Sequence, residues 1–304
     1  MKSTSDINEL IPINPLQDEL FSDKNVSLSV LRLDLIDKDI SGNKIFKLRY
    51  YLEEAINSNH KKVITFGGAY SNHLAATATA CKINNLASIG IVPGNKPEKL
   101  SPTLIFCQYN GMHLKFISKE DYKWKHTHNF TTNLKFEFGD HTLIPEGGFG
   151  PIGVKGASEI CRQYDQSAFT HICCAVGTGT TIAGIINASN NGVEIIGFSS
   201  IKSLNDFEDR MLALLVNKLG KKYRLITDYH FGGFAKRKPE LIAFMNLFYC
   251  QNGIPTDFVY TGKMMFGIFD MIKYSHFPQD SNILCIHSGG LQGNLSLPPN
   301  TLCF

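Results

Sequence analysis

The stretch AVGTGTTIAG (residues 175–184) decides the fold class. It joins an apolar run typical of a strand, His171–Val176, to an apolar pattern at helical spacing, Thr180–Ala188. A strand that passes into a helix through a glycine turn is the start of a βα unit. Its amides and hydroxyls would surround a phosphate at the helix start. The stretch lacks the GK(S/T) of a Walker loop, and Ile182 stands where GxGxxG needs its last glycine, which disfavours ATP and NAD.

The same alternation extends outward over most of the chain. Further strands are predicted at Lys62–Phe66, Ser88–Val92, His113–Ile117, Thr142–Ile144, Glu194–Phe198 and Asn282–His287. Further helices are predicted at Asn72–Lys82, Pro102–Gln108, Val154–Gln163, Asn205–Leu219, Pro239–Gln251 and Lys263–Tyr274. Alternating strands and helices predict an α/β fold with parallel sheets.

Length and composition narrow the class of protein. The 304 residues exceed the usual size of one domain, so two domains are the starting expectation. The hydrophobic fraction is 43% and the charged fraction 19%, which predicts a large core. A net charge of +3 with interspersed signs disfavours nucleic-acid and membrane-surface binding. No apolar run resembles a signal peptide or a membrane span, so we expect a soluble, cytoplasmic protein.

No metal site is predicted. The eight cysteines lie mostly in apolar runs without a CxxC pair, which suits reduced core thiols. Cys173 and Cys174 are adjacent on a predicted strand, so their side chains should point to opposite faces. His126 and His128 lack partners at ligand spacing and are interpreted as part of a solvated loop. Basic clusters at 221–224 and 236–238 are interpreted as solvated surface.

The stretch SGNKIFKL (residues 41–48) places two lysines three residues apart after a flexible turn. On a helix this spacing puts both amines on one face. One amine could form a Schiff base with a carbonyl while the other neutralises a phosphate, since a neighbouring cation lowers the pKa of a lysine. On their own, two exposed lysines would be the more common case.

The stretch TFGGAYSNH (residues 65–73) predicts a strand, a glycine turn and a helix that begins near Ser71. The helix start could bind a carboxylate through its free amides, with Ser71 and Asn72 as side-chain donors. Equally, one of these two residues could simply cap the helix. Two further stretches, YTGK (residues 260–263) and HSGG (residues 287–290), are weak signals individually.

Taken together, SGNKxxKL, GGxxSNH, VGTGTT, VYTGK and HSGG occur in this order between residues 41 and 290. In this combination the chain resembles the 1-aminocyclopropane-1-carboxylate deaminase and D-cysteine desulfhydrase family, from about Leu31 to Gly290. That resemblance implies pyridoxal phosphate as cofactor and the fold type II architecture of tryptophan-synthase β, with two open twisted parallel sheets. It also implies a larger domain (residues 1–50 and 145–304), a smaller inserted domain (residues 51–144), and a homodimer.

The resemblance assigns roles residue by residue. Lys44 matches the family's Schiff-base lysine, and Lys47 matches a second lysine near the cofactor phosphate. Ser71 matches a serine near the substrate, and Asn72 matches an asparagine that binds the ring hydroxyl. Tyr260 matches a tyrosine close to the substrate. Lys44, Ser71 and Tyr260 are thus the expected catalytic residues.

Other matches concern cofactor and substrate binding. The phosphate would be bound by the loop Gly177, Thr178, Gly179, Thr180 and Thr181. His73 and Phe234 are expected beside the substrate, together with Ser71, Asn72 and Tyr260.

Three positions depart from the family pattern. Thr261 matches the residue that faces the pyridine nitrogen, where the cyclopropane deaminases have a glutamate. Phe234, in the stretch FGGF (residues 231–234), stands where relatives have another active-site tyrosine. The segment between Gly94 and Thr103 is shorter than in larger members.

The resemblance implies β-elimination from a small amino acid, such as D-cysteine, to pyruvate, ammonia and sulfide. A threonine facing the ring nitrogen makes a weaker electron sink than a carboxylate would, which suffices for a good leaving group such as thiolate. The alternatives are ring opening of 1-aminocyclopropane-1-carboxylate to 2-oxobutyrate, and an amino-acid racemase or serine-type dehydratase. A protein that binds pyridoxal phosphate without turnover is disfavoured, because Lys44, Ser71, Asn72 and Tyr260 are all retained.

Overall fold

The structure, a computed structural model, describes residues 11–40, 42–202, 207–216 and 219–304. Ser41 of the lysine stretch lies outside the described residues. So do four residues within the predicted helix Asn205–Leu219, namely Asn205, Asp206, Asn217 and Lys218.

Ten strands form two sheets within the described residues. In chain order they are β1 (Ile13–Pro15), β2 (Val26–Arg32), β3 (Lys62–Phe66), β4 (Ala87–Pro93), β5 (Met112–Ile117), β6 (Thr142–Ile144), β7 (His171–Val176), β8 (Glu194–Ser199), β9 (Lys222–Ile226) and β10 (Ser281–His287). One sheet has the order β1-β2-β10-β7-β8-β9, and the other has the order β5-β4-β3-β6. All pairs are parallel except β1 with β2.

The helices connect the strands as an α/β fold requires. They are α1 (Glu19–Asp23), α2 (Asn43–Asn57), α3 (Asn72–Ile83), α4 (Pro102–Tyr109), α5 (Lys119–Lys123), α6 (His128–Phe138), α7 (Pro151–Ser158), α8 (Thr180–Ala188), α9 (Phe207–Leu214), α10 (Pro239–Asn252) and α11 (Thr261–Lys273). Within the described chain no helix is long and apolar enough to cross a membrane.

The predicted α/β class with parallel sheets is confirmed, and each of the seven predicted strands is present. All strands of the four-stranded sheet fall within residues 62–144, and those of the six-stranded sheet fall on either side. The predicted boundaries of the inserted domain, 51–144, agree with this arrangement but stay a prediction.

Strand β9 includes Lys222 and Arg224 of the basic cluster at residues 221–224, and no strand was predicted there. It is the edge strand of the large sheet, and Arg224 Nε lies 2.9 Å from Glu194 Oε1 on the neighbouring strand. Charged side chains are common on edge strands because they discourage pairing with other chains. Because of these charges, β9 is not an apolar run, and a search for apolar runs does not predict it.

The large sheet separates two hydrophobic clusters. Cys174 belongs to the cluster that includes residues of α2, α7 and α8, and Cys173 to the cluster that includes residues of α11. Adjacent residues of β7 therefore face opposite sides, as predicted. Six of the cysteines are buried, whereas Cys250 and Cys303 are exposed, which corrects the expectation of core thiols at these two positions.

The histidines near residue 127 are only partly in a loop. His128 is the first residue of α6, and Thr127 caps this helix by accepting a hydrogen bond from the Phe130 amide. The described residues include no group of three or more His, Cys, Asp or Glu side chains that could hold a metal ion.

Candidate active site

A cavity of about 530 Å³ lies at the carboxyl ends of strands from both sheets. Residues that follow β3, β7 and β10 line it, and so does the start of α2. Ligands of α/β proteins bind at this edge of a parallel sheet. Of the predicted site residues, those that line the cavity are Lys44, Lys47, Ser71, Asn72, His73, Gly177, Thr178, Gly179, Thr181, Phe234 and Tyr260.

The two lysines of α2 reach the cavity and are not on the outer surface. Lys44 Nζ donates a hydrogen bond to Asn43 Oδ1 at 2.8 Å. Burial lowers the pKa of Lys44 to about 8, and the nearby Asp257 carboxylate opposes this shift. Lys47 is 3% exposed, and burial together with the charge of Lys44 holds its pKa well below the usual range. A bound anion would stabilise the charged form of Lys47.

The loop between β7 and α8 presents the helix start to the cavity. Gly179 adopts φ 88°, a left-handed conformation that glycine accepts without strain, and the helix begins at Thr180. Thr181 Oγ1 accepts a hydrogen bond from Asn43 Nδ2 at 2.8 Å, which links α8 to α2. Thr180 is fully buried and does not line the cavity, and its hydroxyl lies 3.0 Å from that of Thr178.

Ser71 both caps α3 and lines the cavity, while its predicted contact with a carboxylate stays a prediction. Its hydroxyl accepts a hydrogen bond from the Leu74 amide at 3.2 Å, so it caps the helix, and the same residue lines the cavity. Asn72 Nδ2 donates to Gly290 O at 3.3 Å, and Asn72 Oδ1 accepts from the Gln292 amide at 3.1 Å. Asn72 therefore joins α3 to the segment after β10.

The protonation of His73 follows from its neighbours. Thr65 Oγ1 donates its one hydrogen to Ile144 O at 2.8 Å, so it must accept the hydrogen of His73 Nε2, also at 2.8 Å. Burial, followed by the charges of Lys47 and Lys44, keeps the pKa of His73 well below its usual range. His73 is therefore neutral, and its Nδ1 is a buried acceptor with no partner among the described residues.

Tyr260 and Phe234 form the aromatic part of the wall. Their ring centroids are 6.0 Å apart in an edge-on arrangement. Burial raises the pKa of the Tyr260 phenol, and the nearby carboxylate of Asp257 raises it further. Tyr260 is thus a proton-bearing hydroxyl at neutral pH.

Thr261 does not line the cavity in this structure. It is fully buried, and its hydroxyl donates to Asp257 Oδ1 at 2.8 Å while it accepts from the Asp257 amide at 2.9 Å. Its one hydroxyl hydrogen is therefore already used within the protein. Its predicted role toward the pyridine nitrogen stays a prediction.

Sequence reasoning assigned no role to four residues that line or support the site, namely Asn43, Glu146, Asp257 and Ser288, although Asn43 and Ser288 lie in stretches that it selected. Glu146 lines the cavity, accepts a hydrogen bond from the Tyr122 hydroxyl at 3.0 Å, and lies 3.4 Å from Lys125 Nζ. Its position two residues after β6, near the carboxyl end of a parallel strand, could have marked it as a site residue. Ser288 follows β10 in the same way, whereas Asp257 has only its place before a helix start to mark it.

Comparison with known proteins identifies the class. Residues 18–289 match the model of the family described as pyridoxal-phosphate dependent enzyme. Because the match spans most of the chain, the protein belongs to this family and is a pyridoxal-phosphate dependent enzyme of fold type II.

Three individual proteins are similar to this chain over most of its length. A bifunctional D-cysteine desulfhydrase/1-aminocyclopropane-1-carboxylate deaminase, mitochondrial, of Arabidopsis thaliana is 31% identical over 88% of this chain and 73% of its own. A D-cysteine desulfhydrase of Klebsiella pneumoniae is 25% identical over 89% of each chain. A solved structure described as an ACC deaminase homologue is 27% identical, with a TM-score of 0.79 over 94% of this chain and 92% of its own.

The cavity fits the family's cofactor on its own geometry. Lys47 is almost fully buried beside the cavity, where burial and the charge of nearby Lys44 lower its pKa, and His73 Nδ1 in the same lining is a buried acceptor with no partner among the described residues. Two neighbouring buried amines are unfavourable as cations, and a phosphate at the start of α8 would stabilise their charged form. Lys44, whose pKa is about 8, is the amine placed to react with an aldehyde.

Ser71→Ala should lower kcat/KM by roughly ten-fold or more, because a hydrogen bond to a charged group contributes about 1.5–3 kcal/mol. Cofactor content should change little, since Lys47 and the α8 start are intact. Ser118→Ala is the matched control, because Ser118 caps α5 by accepting from the Asp121 amide at 3.0 Å and does not line the cavity. If both variants lose stability and neither loses activity, Ser71 is only a cap.

Proposed function

We propose that the enzyme catalyses β-elimination from a small amino acid, with D-cysteine as the best candidate, giving pyruvate, ammonia and sulfide. The observation behind this proposal is the residue at position 261. There a threonine, already bonded to Asp257, replaces the glutamate expected of cyclopropane deaminases. The relative named D-cysteine desulfhydrase in Klebsiella pneumoniae supports the same substrate, and the bifunctional relative in Arabidopsis thaliana is named for both D-cysteine and the alternative cyclopropane substrate.

The cofactor would be held from three directions. Lys47 and the amides at the start of α8 would bind its phosphate, Asn72 its ring hydroxyl, and Lys44 its aldehyde carbon. When bound, pyridoxal phosphate supplies the electron sink that makes loss of the α-proton and of the leaving group possible.

Lys44 is the residue suited to move the α-proton. With a pKa of about 8, a useful fraction of its amine is uncharged near neutral pH and can accept a proton. The hydrogen bond to Asn43 Oδ1 sets the direction of this amine. Asn43 also donates a hydrogen bond to Thr181 at the start of α8, so one side chain orients both Lys44 and the loop that would bind the phosphate.

The start of α3 is suited to bind the substrate carboxylate. Free amides and the positive end of the helix dipole attract an anion there, and Ser71 adds a hydroxyl that can donate. On the aromatic side of the cavity, Tyr260 keeps its proton because its pKa is raised, so it can donate a hydrogen bond to the substrate. The carboxylate and the leaving group would then face different walls.

Side-by-side assays separate the proposed reaction from its main alternative. We expect kcat/KM for pyruvate release from D-cysteine to exceed that for 2-oxobutyrate release from 1-aminocyclopropane-1-carboxylate by roughly ten-fold or more, which corresponds to about 1.4 kcal/mol in barrier height. L-Cysteine in the same assay tests the stereochemistry. Faster 2-oxobutyrate formation would show that the threonine argument is wrong.

The remaining alternatives predict different products. A racemase would convert one enantiomer of an amino acid into the other without releasing a 2-oxo acid, and a dehydratase would prefer serine to cysteine. We also propose, from the family resemblance, a cytoplasmic homodimer with an inserted domain at residues 51–144. Light scattering of the purified protein tests the dimer.

A further inference from the structure

Lys263, the lysine of the YTGK stretch, is buried behind the cavity wall and does not line the cavity. Only 2% of it is exposed, and its Nζ donates two hydrogen bonds of 2.8 Å, to His230 O and to Gly233 O. Burial lowers its pKa to about 8, while the Asp257 carboxylate favours its charged form. Lysine is almost never fully buried unless it is paired, so these two bonds need an explanation.

The bonds of Lys263 reach a loop with an unusual backbone. Phe231, Gly232, Gly233 and Ala235 all have positive φ, at 52°, 97°, 118° and 52°. Positive φ is unfavourable for phenylalanine and alanine, so the surrounding structure must impose this conformation. Between the last two of these residues lies Phe234, whose side chain is 57% exposed and lines the cavity.

Helix α11 supports this loop and Tyr229, which precedes it, at three positions on one face. Besides Lys263, Phe266 packs edge-on against Phe231 with centroids 5.0 Å apart, and Asp270 Oδ2 accepts from the Tyr229 hydroxyl at 2.8 Å. Residues 263, 266 and 270 are three and four apart and therefore lie on the same side of a helix.

The start of α11 positions the second aromatic residue of the wall. Asp257 accepts hydrogen bonds of 2.9–3.0 Å from the amides of Val259, Tyr260 and Thr261. Tyr260 is thereby fixed directly before the helix. Phe234 and Tyr260, which come from distant parts of the chain, are thus supported by the same helix.

We propose that Lys263 is a positioning residue for substrate specificity: through the backbone of residues 230–235 it sets Phe234 against Tyr260 and so shapes the side of the cavity that meets the substrate. The proposal rests on the proposed function in one respect, since it takes these two rings as the substrate-facing wall. Lys263 itself touches neither substrate nor cofactor in this scheme.

Lys263→Met removes the donor while keeping the length of the side chain. We expect the KM of the best amino-acid substrate to rise roughly ten-fold or more, with kcat changed less than three-fold and cofactor content unchanged. In the substrate-free holoenzyme, the amides of Gly232, Gly233 and Lys236, which are hydrogen-bonded within the loop, should exchange with solvent faster. Lys273→Met, the same substitution at an exposed position of α11, should alter neither property.

A double-mutant cycle with Phe234→Ala distinguishes positioning from general destabilisation. Phe234 is exposed, so this variant should fold, and alone it should raise KM by a similar factor. In the Phe234→Ala background, Lys263→Met should then add little. Equal effects of Lys263→Met in both backgrounds, or unchanged loop exchange, would overturn the proposal.

The exchange measurement keeps this proposal separate from the proposed function. It is made without substrate, so it decides whether Lys263 orders the loop even if D-cysteine is not turned over. If Lys263→Met does not fold, an unchanged KM in Phe234→Ala is sufficient to reject the role in specificity.

Discussion

Lys44→Ala should abolish turnover, with a loss of at least roughly a thousand-fold in kcat, because the other lysine that lines the cavity, Lys47, is assigned to the cofactor phosphate and does not replace Lys44 as the amine that reacts with the aldehyde. Some cofactor should remain bound, since Lys47, Asn72 and the start of α8 are unchanged. The measurements are 2-oxo acid release and the cofactor content of the purified variant.

Borohydride treatment adds a test that does not depend on activity. In the wild-type holoenzyme, reduction followed by peptide mapping should place the cofactor label on Lys44, and in Lys44→Ala that label should disappear. Lys38→Ala is the matched control, because Lys38 is exposed and lies six positions earlier in the chain. A label on another lysine in the wild type, or full activity in Lys44→Ala, would remove the basis of the mechanism.

Gly42→Ala should disrupt both the site and the stability of the protein. Gly42 has φ 71°, and a Cβ atom there would lie 1.7 Å from Ser288 O and 2.6 Å from the Gly289 amide nitrogen. These are backbone atoms, so a side-chain rotation cannot relieve the overlap. The start of α2, with Lys44 on it, would have to move away from the end of β10. We expect a loss of more than about 2 kcal/mol in the free energy of unfolding, and loss of most bound cofactor.

Gly111→Ala is the control that separates the effect of the atomic overlap at Gly42 from the effect of a positive φ. Gly111 has a similar φ of 83°, but a Cβ atom there would meet nothing within 4 Å. Its substitution should cost only the strain of a positive φ, about 1–2 kcal/mol, and leave cofactor content unchanged. Denaturant unfolding and the absorbance of bound cofactor measure both variants. Equal losses in the two variants would mean that the contact between Gly42 and the Ser288 backbone is unimportant.

Local sequence was enough for seven of the nine described strands that pair in parallel, and for most of the described helices; β2 and β9 were not predicted. The run His171–Val176 and the pattern Thr180–Ala188 are predicted with the bounds that the structure has, because a buried strand and an apolar helix each depend on neighbouring residues. Strand β9 was missed for the opposite reason. Its lysine and arginine are favourable only because it is an edge strand beside Glu194, and sequence neighbours do not contain this information.

The sequence by itself determined the α/β class, the anion-binding stretches at strand ends, and the residue types needed for pyridoxal phosphate chemistry. Tertiary structure alone decided that Lys44 and Lys47 are desolvated, that the Thr261 hydroxyl bonds to Asp257, and that Lys263 binds the loop beside Phe234. For the lysines the physical reason is that burial and pKa are set by elements that pack together from distant parts of the chain. The loop residues bonded to Lys263 are about thirty positions away. The partner of Thr261, Asp257, is only four residues away in the sequence. The direction of the Thr261 hydroxyl nevertheless depends on the hydrogen bonds between these two residues at the start of α11, and the residue type at position 261 does not predict it.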